Sequence, residues 1–134
     1  MATTTATLTL SSSDLSSQAL AITATMALNK AGTVVGLDQT TGLNKVIYAA
    51  AQSNATLINA SSYEDNIHAK VYIKNPGTSS TDYFSLTYGA SNIAIGRLYG
   101  GDFVFLPWEG EQDIDITSST TSMELEFLVI FQAA

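Results

Sequence analysis

The sequence predicts an all-β protein, an antiparallel β-sandwich that is jelly-roll-like and has about eight to ten strands. Two observations carry this prediction. Polar and apolar residues alternate with a period of two through most of the 134 residues, which is the pattern of half-buried strands. Clusters of Gly, Pro, Asn and Ser interrupt the alternation at the spacing of sandwich turns. A chain of this length can bury a core without metal or disulfide, and we expect residues 1–134 to form one domain.

Each predicted strand is an alternating segment that lies between turn signals. Two such segments lie in the N-terminal region, and the later ones are residues 66–75, 82–88, 92–98, 102–107, 112–117 and 122–132. The last segment is apolar on both faces beyond Glu126, which predicts a central strand or one covered by a neighbouring subunit. The β-branched residues of segment 45–58 outweigh its alanines, and we predict strand there. Gly100 and Gly101 are predicted to close a hairpin.

The N-terminal region, residues 1–45, is rich in Ala and Thr and has few charges. Its alternating segments, TATLTL and LAITATMAL, each place apolar residues on one strand face. One interpretation is an edge strand and a hairpin of the same domain. The other is an extended arm that pairs with a neighbouring subunit, because open β edges recruit strands. Both interpretations stay open at this point.

The overall charge and composition exclude several classes of function. The net charge is −7 and only five residues are Lys or Arg, so a phosphate-binding face for nucleic acid is not expected. The chain has no cysteine, and no basic residue precedes Lys30, where a secretory signal would need one. No window approaches the roughly 20 apolar residues of a membrane-spanning helix, and we predict no membrane association. Only 13% of residues are charged, which suits either a surface largely covered by other protein or an extracellular particle surface.

The single histidine offers little basis for catalysis. His68 alternates with Lys70 on the polar face of its predicted strand, so we expect a solvated or cross-strand-paired side chain rather than a general base. One imidazole without cysteine also cannot build a zinc site. We therefore predict that the protein is not an enzyme and holds no cofactor or metal.

A row of carboxylates is the remaining candidate for chemistry. These residues recur at every second position: Glu109, Glu111, Asp113 and Asp115. Such a row could bind calcium, which prefers oxygen ligands, although the spacing of a calcium loop is absent. The same alternation follows if Ile114 and Ile116 point into the core, which would turn Asp113 and Asp115 towards solvent. We predict the solvated arrangement.

A stripe of basic and aromatic residues is the most informative surface feature. Lys70 and Lys74 share a predicted strand face with His68 and Tyr72 in an otherwise acidic chain. They could pair across strands with Glu124 or Glu126, or dock onto an acidic partner. Trp108 could anchor an interface, stack on a sugar or cap the core. The candidate interface comprises seven residues: His68, Lys70, Tyr72, Lys74, Arg97, Tyr99 and Trp108.

Several segments together resemble a known family of virion proteins. The segments are the start MATTTATLTL, the strand and turn HAKVYIKNPGTSSTDYFSL, the segment IGRLYGGDFVFLP and the final strand LEFLVIF. The chain, chiefly over residues 66–132, is similar to the capsid cement (decoration) proteins of tailed bacteriophages of marine and cyanobacterial hosts. The long Ala/Thr-rich region before residue 45 departs from that pattern.

The resemblance implies a jelly-roll protein without catalytic residues. It would bind the outer surface of the expanded capsid, bridge neighbouring major capsid proteins and stabilise the head. It would be a homo-oligomer, either a dimer on two-fold positions or a trimer on three-fold positions. The expected location is the virion surface, after assembly in the host cytoplasm.

Two other functions make different predictions. A receptor- or carbohydrate-binding β-sandwich of a tail fibre or spike would expose a cluster drawn from Tyr72, Tyr83, Tyr99 and Trp108 around a concave site. An enzyme that uses the carboxylates of 109–115 would place them in a cleft and raise their pKa values.

Overall fold

A computed structural model of the protein describes residues 2–30 and 33–132. The chain divides into two compact units, Met1–Asp38 and Gln39–Ala134. Eleven β-strands and a one-turn 3-10 helix, Ala60–Ser62, occur in the described ranges, which contain no α-helix. The predicted all-β class is therefore confirmed. Region 1–45, for which the sequence left an edge strand with a hairpin or an extended arm open, spans the first unit and the start of the second.

The first unit is built on a hairpin of β1 (Thr5–Ser12) and β2 (Leu20–Ala27). The strands pair antiparallel in a continuous register from Thr5 opposite Ala27 to Ser12 opposite Leu20. This register gathers the apolar residues on one face of the hairpin and the threonines on the other, because successive side chains of a strand point to opposite faces. Beyond the hairpin, Leu28 and Leu37 are buried, and a backbone hydrogen bond joins them.

The second unit contains nine strands in two antiparallel sheets. They are β3 (Gln39–Thr40), β4 (Asn44–Tyr48), β5 (Ala55–Ile58), β6 (His68–Lys74), β7 (Tyr83–Tyr88), β8 (Ile93–Tyr99), β9 (Phe103–Trp108), β10 (Ile114–Ser118) and β11 (Met123–Gln132). One sheet has the order β5-β10-β7-β8. The other has the order β3-β11-β6-β9, and β4 pairs with β11 on the same side as β3.

Both sheets contribute to one hydrophobic core, which makes the second unit a β-sandwich. Alternate residues of four central strands are fully buried in it, among them Val71, Ile73, Phe84, Leu86, Ile114, Ile116, Leu125 and Val129. The alternation visible in the sequence thus reflects one face per strand turned to this core.

Two details of strand placement bear on the sequence predictions. Segment 45–58 forms strand, as predicted, although as two strands of opposite sheets with an irregular connection between them. The last strand is central, also as predicted, because β11 pairs with β6 on one side and with β3 and β4 on the other. The hairpin predicted at Gly100 and Gly101 is wrong. These glycines connect β8 and β9, which belong to different sheets.

Candidate docking surface

The outer face of the five-stranded sheet brings four of the seven candidate residues together. Strand β6 lies between β11 and β9, and its residues alternate between buried and partly exposed. Because Ala69, Val71 and Ile73 point into the core, the intervening residues point outwards. These are His68, Lys70, Tyr72 and Lys74. We call the outer face of this sheet the β6 face.

Apolar side chains surround the β6 stripe on this face. The residues directly opposite the stripe on neighbouring strands are mostly apolar, namely Leu128, Ile130, Phe103, Phe105 and Pro107. Phe103 is 57% exposed, and its ring centre lies 6.3 Å from that of Tyr72. Ile47 on β4, in register with Glu124, is 75% exposed. Large apolar side chains with this much exposure, rimmed by charged groups, are typical of protein-binding surfaces.

The β6 face also has a charge balance unlike that of the rest of the chain. It holds three of the five Lys and Arg residues (Lys45, Lys70 and Lys74) and two of the twelve Asp and Glu residues (Glu124 and Glu126). Its net charge is therefore +1, whereas the remainder of the chain carries −8. A partner that approaches this face meets the least acidic strand surface of the sandwich.

The ion pairs on this face involve Lys45, which is not one of the seven candidate interface residues. Lys45 Nζ lies 3.0 Å from Glu124 Oε1 and 3.9 Å from Glu126 Oε1. The hydrogen bond to Glu124, aided by its charge, raises the pKa of Lys45. Glu126 sits in register between Lys45 and Lys74, and its carboxylate turns to Lys45. Within the described part of the chain, Lys70 and Lys74 make no ion pair, although Lys74 lies directly opposite Glu126 across the strands. Of the two alternatives that the sequence left open, cross-strand pairing therefore holds for Lys74 and Glu126 as neighbours in register but not as an ion pair.

Arg97 and Tyr99 lie elsewhere, on β8 of the four-stranded sheet. The guanidinium carbon of Arg97 is 4.3 Å from the centre of the Tyr83 ring, which is a cation–π contact. Tyr83 and Tyr99 are cross-strand neighbours whose ring centres are 5.2 Å apart. A hydrogen bond with Tyr99 raises the pKa of Arg97. Arg97 is exposed and the two tyrosines are partly exposed, and we call these three residues the Tyr83 cluster.

Trp108 belongs to the core and not to an exposed surface. It is 5% exposed, and its ring meets that of Tyr63 edge-on at 5.0 Å. Its indole Nε1 donates a hydrogen bond to the backbone oxygen of Gln112 at 2.9 Å. The side chain therefore caps the sandwich core, the third of the alternatives that the sequence left open. Trp108 is therefore removed from the seven residues of the candidate interface.

The four carboxylates of 109–115 do not form a row on one strand. Glu109 precedes β10 and accepts a hydrogen bond from the Tyr88 hydroxyl at 3.1 Å. Burial, together with this bond, raises the pKa of Tyr88. Asp113 accepts a hydrogen bond from the Ala60 backbone N–H at 2.7 Å. Glu109, Glu111 and Asp113 lie in the connection before β10 rather than in the strand, which is why the four acids form no row. Glu109 and Asp113 instead have separate hydrogen-bond partners.

Asp115 departs from the prediction of a solvated side chain. It lies within β10, opposite Thr87 of β7, and is only 8% exposed. A register shift between Ile114 and Asp115 disturbs the pairing with β5 at this point. Asp115 Oδ1 and Thr87 Oγ1 are buried and have no hydrogen-bond partner among the described residues. The prediction that Asp115 faces solvent is wrong.

Other chemistry is sparse in the described residues. His68 lies opposite Gln132 on β11 and makes no hydrogen bond with a serine hydroxyl in residues 2–30 and 33–132. The same ranges contain no cluster of three or more acidic or histidine side chains that could hold a metal ion. They also contain no helix long and apolar enough to cross a membrane.

Comparison with protein families, with curated proteins and with solved structures finds no match to this chain. The β6 face is therefore the principal basis for functional inference. Sequence reasoning identified its central stripe but missed the contributions of Lys45, Ile47 and Phe103. Only the register of β4 and β9 beside β11 and β6 places these residues on the same face.

Proposed function

We propose that this protein is a virion structural protein that binds the outer surface of the expanded capsid of a tailed phage. In this role it cements neighbouring major capsid proteins and stabilises the head. The observation that supports this proposal is the β6 face, an apolar surface of net charge +1 in a chain of net charge −7. The sequence resemblance to capsid cement proteins suggests which protein the β6 face would bind, namely the major capsid protein.

The contacts on the β6 face indicate how such docking would work. Phe103, Ile47 and the apolar residues beside Tyr72 would supply buried area, which is the main source of affinity. Lys70 and Lys74 are about 13 Å apart along β6 and would meet carboxylates of the partner. Because neither lysine has an ion pair in the described residues, docking would not have to break one.

The order of the strands supports a finer fold assignment, which we infer. From β4 onwards, successive strands alternate between the sheets except for the β7–β8 pair. The result is β4-β11-β6-β9 opposite β5-β10-β7-β8. Two Greek keys wound together into a jelly roll produce this order. In a jelly roll the two outer sheet faces are separate surfaces, so docking through one leaves the other free.

Cementing would act by mass action. A protein that binds only the assembled lattice stabilises that lattice by RT ln(1 + L/Kd) per site, where L is the concentration of free protein, so the stabilisation grows with that concentration relative to the dissociation constant. Each copy that touches two capsid subunits also gains from effective concentration, so weak single contacts are sufficient.

The proposal is tested by co-sedimentation of the purified protein with decoration-free expanded heads, followed by heating. We expect saturable binding and a higher temperature of head rupture. Lys70→Glu should weaken binding by about tenfold or more, equivalent to about 1.4 kcal/mol, because it places an acid opposite an acidic partner. Arg97→Glu makes the same charge change on the other sheet and should leave binding unchanged.

Two different results would contradict the cement role and the docking face respectively. Failure of the wild-type protein to bind any expanded head, or binding without greater head stability, contradicts the cement role. A loss of binding in Arg97→Glu, with Lys70→Glu unaffected, contradicts docking through the β6 face.

The Tyr83 cluster favours a second candidate function, the receptor- or carbohydrate-binding module. Two neighbouring tyrosine rings, tilted by 55° to each other, and the guanidinium of Arg97 over the Tyr83 ring combine aromatic surface with hydrogen-bond donors, a combination that could contact a sugar. Of the four residues from which this function would draw its cluster, Tyr83 and Tyr99 lie together, whereas Tyr72 lies on the other sheet and Trp108 is buried. Glycan-array binding that is lost in Tyr83→Ala would support this function.

A further inference from the structure

We propose that the β1–β2 hairpin is a self-association element whose partner is the hairpin of a second copy of this chain. The first observation is that neither of these two described strands has a buried residue. One face carries four large apolar side chains that are 43–46% exposed: Leu8, Leu10, Ile22 and Met26. An isolated two-stranded hairpin is marginally stable in water, and stability requires at least three strands with an apolar face.

The second observation is that, among the described residues, β1 and β2 pair only with each other, so each strand has an unpaired edge. Every edge of the sandwich carries a feature that discourages pairing with another strand. Strand β9 contains Pro107, and β8 carries Arg97 and a register shift. Strand β5 has four residues and a register shift, while β3 and β4 are short and β4 carries Lys45. Strands β1 and β2 have eight residues each, a continuous register, and no proline or charge.

The charge distribution indicates why the partner is a second copy. Residues 2–29 contain one charged residue, Asp14, which lies in the loop between the two strands. Two chains of net charge −7 repel each other in general, but two hairpins can meet without bringing like charges together. A two-fold contact places the same apolar face and the same free edge opposite each other, which makes the contact self-complementary.

The size of the hairpin sets the strength of the association. Eight residues per strand give a face of about 27 Å by 10 Å, which is smaller than the roughly 800 Å² per partner of a standard interface. We therefore expect a concentration-dependent equilibrium rather than an obligate oligomer. Copies held close together on a surface would associate more readily, because their effective concentration is higher.

The test is sedimentation equilibrium of the full-length protein over a wide concentration range. The wild-type protein should approach at least twice its monomer mass of 14.1 kDa as its concentration rises. Ile22→Glu, which places a charge on the apolar face, should raise the dissociation constant by about tenfold or more. Thr23→Glu is the matched control, since the adjacent residue of the same strand points to the threonine face. It should change the dissociation constant by less than about threefold.

Folding of the variants is checked independently of the hairpin. Trp108 is buried in the second unit, so its fluorescence reports whether the sandwich is intact. A wild-type protein that stays monomeric up to its solubility limit overturns the proposal. An oligomer that persists unchanged in Ile22→Glu also overturns it, because the contact then uses another surface.

This inference and the proposed function fail in different ways. A wild-type monomer whose head binding is lost in Ile22→Glu would leave the cement role intact and assign the hairpin to the capsid instead. Self-association of a protein that binds no head would overturn the cement role and leave the hairpin contact standing.

Discussion

Replacement of Gly110 by alanine tests whether the connection between β9 and β10 packs closely against the segment that contains Glu64 and Ile67. Gly110 has φ = +83°, a backbone conformation that costs an alanine about 1–2 kcal/mol. A Cβ atom there would lie 2.7 Å from the backbone oxygen of Glu64 and 2.9 Å from Cγ1 of Ile67. Relief of such overpacking costs about 1–3 kcal/mol more. We expect Gly110→Ala to lower the free energy of unfolding by about 2–5 kcal/mol.

A second glycine provides the control for this experiment. Gly101 has φ = +89°, but no described atom lies within 4 Å of the position that its Cβ would take. Gly101→Ala should therefore incur only the backbone cost of about 1–2 kcal/mol. The difference between the two variants measures the close approach of Gly110 to the segment that contains Glu64 and Ile67.

The assay is urea unfolding followed by the fluorescence of Trp108. With a slope of about 1–3 kcal/mol per molar urea, Gly110→Ala should lower the midpoint by about 0.7–5 M, which is about 2 M for mid-range values of both quantities. Equal shifts in Gly110→Ala and Gly101→Ala would refute the proposed close contact, because only the shared backbone conformation would then matter.

Three further predictions concern the sandwich. Burial raises the pKa of Tyr48 and Tyr63 above the ordinary value of 10.0, so the folded state holds both protons more tightly than the unfolded state. The contribution of these two groups to the free energy of unfolding should be constant below pH 10 and should fall as the pH rises above it. Urea unfolding at a series of pH values should show a smaller fall when both tyrosines are replaced by Phe. Trp108→Phe should cost about 1–3 kcal/mol, measured by circular dichroism, because it removes packed volume and the hydrogen bond to Gln112. Lys45→Gln should leave the urea midpoint unchanged, since its ion pairs are exposed; a clear decrease would contradict this.

The strands were predictable wherever one face is buried and the other is not. In β6 and β7 every second residue enters the core, so the period of two is visible without the structure. Strand β3 could not be located in this way, because two residues are too short for a period. The hairpin prediction at Gly100 and Gly101 failed because a glycine pair permits a tight turn but does not determine which sheet the next strand joins.

The docking surface was predictable only in part. His68, Lys70, Tyr72 and Lys74 share one strand, so alternation alone places them together. Trp108 was ambiguous, because a lone tryptophan next to a proline is compatible with both a core and an interface.

The sequence by itself determined the all-β class and the stripe on β6, and it limited the last strand to a central position or one covered by a neighbouring subunit. The class and the stripe follow from local alternation, and the last strand from a run that is apolar on both faces; all three depend on neighbours one and two positions away. Only the tertiary structure shows that Lys45 forms ion pairs with Glu124 and Glu126. It alone also shows that Asp115 is buried and that Phe103 lies on the β6 face. These features depend on which strands become neighbours and in what register. Strand pairing joins residues far apart in the chain, so the alternation within one strand shows which face is buried but not which strand lies beside it.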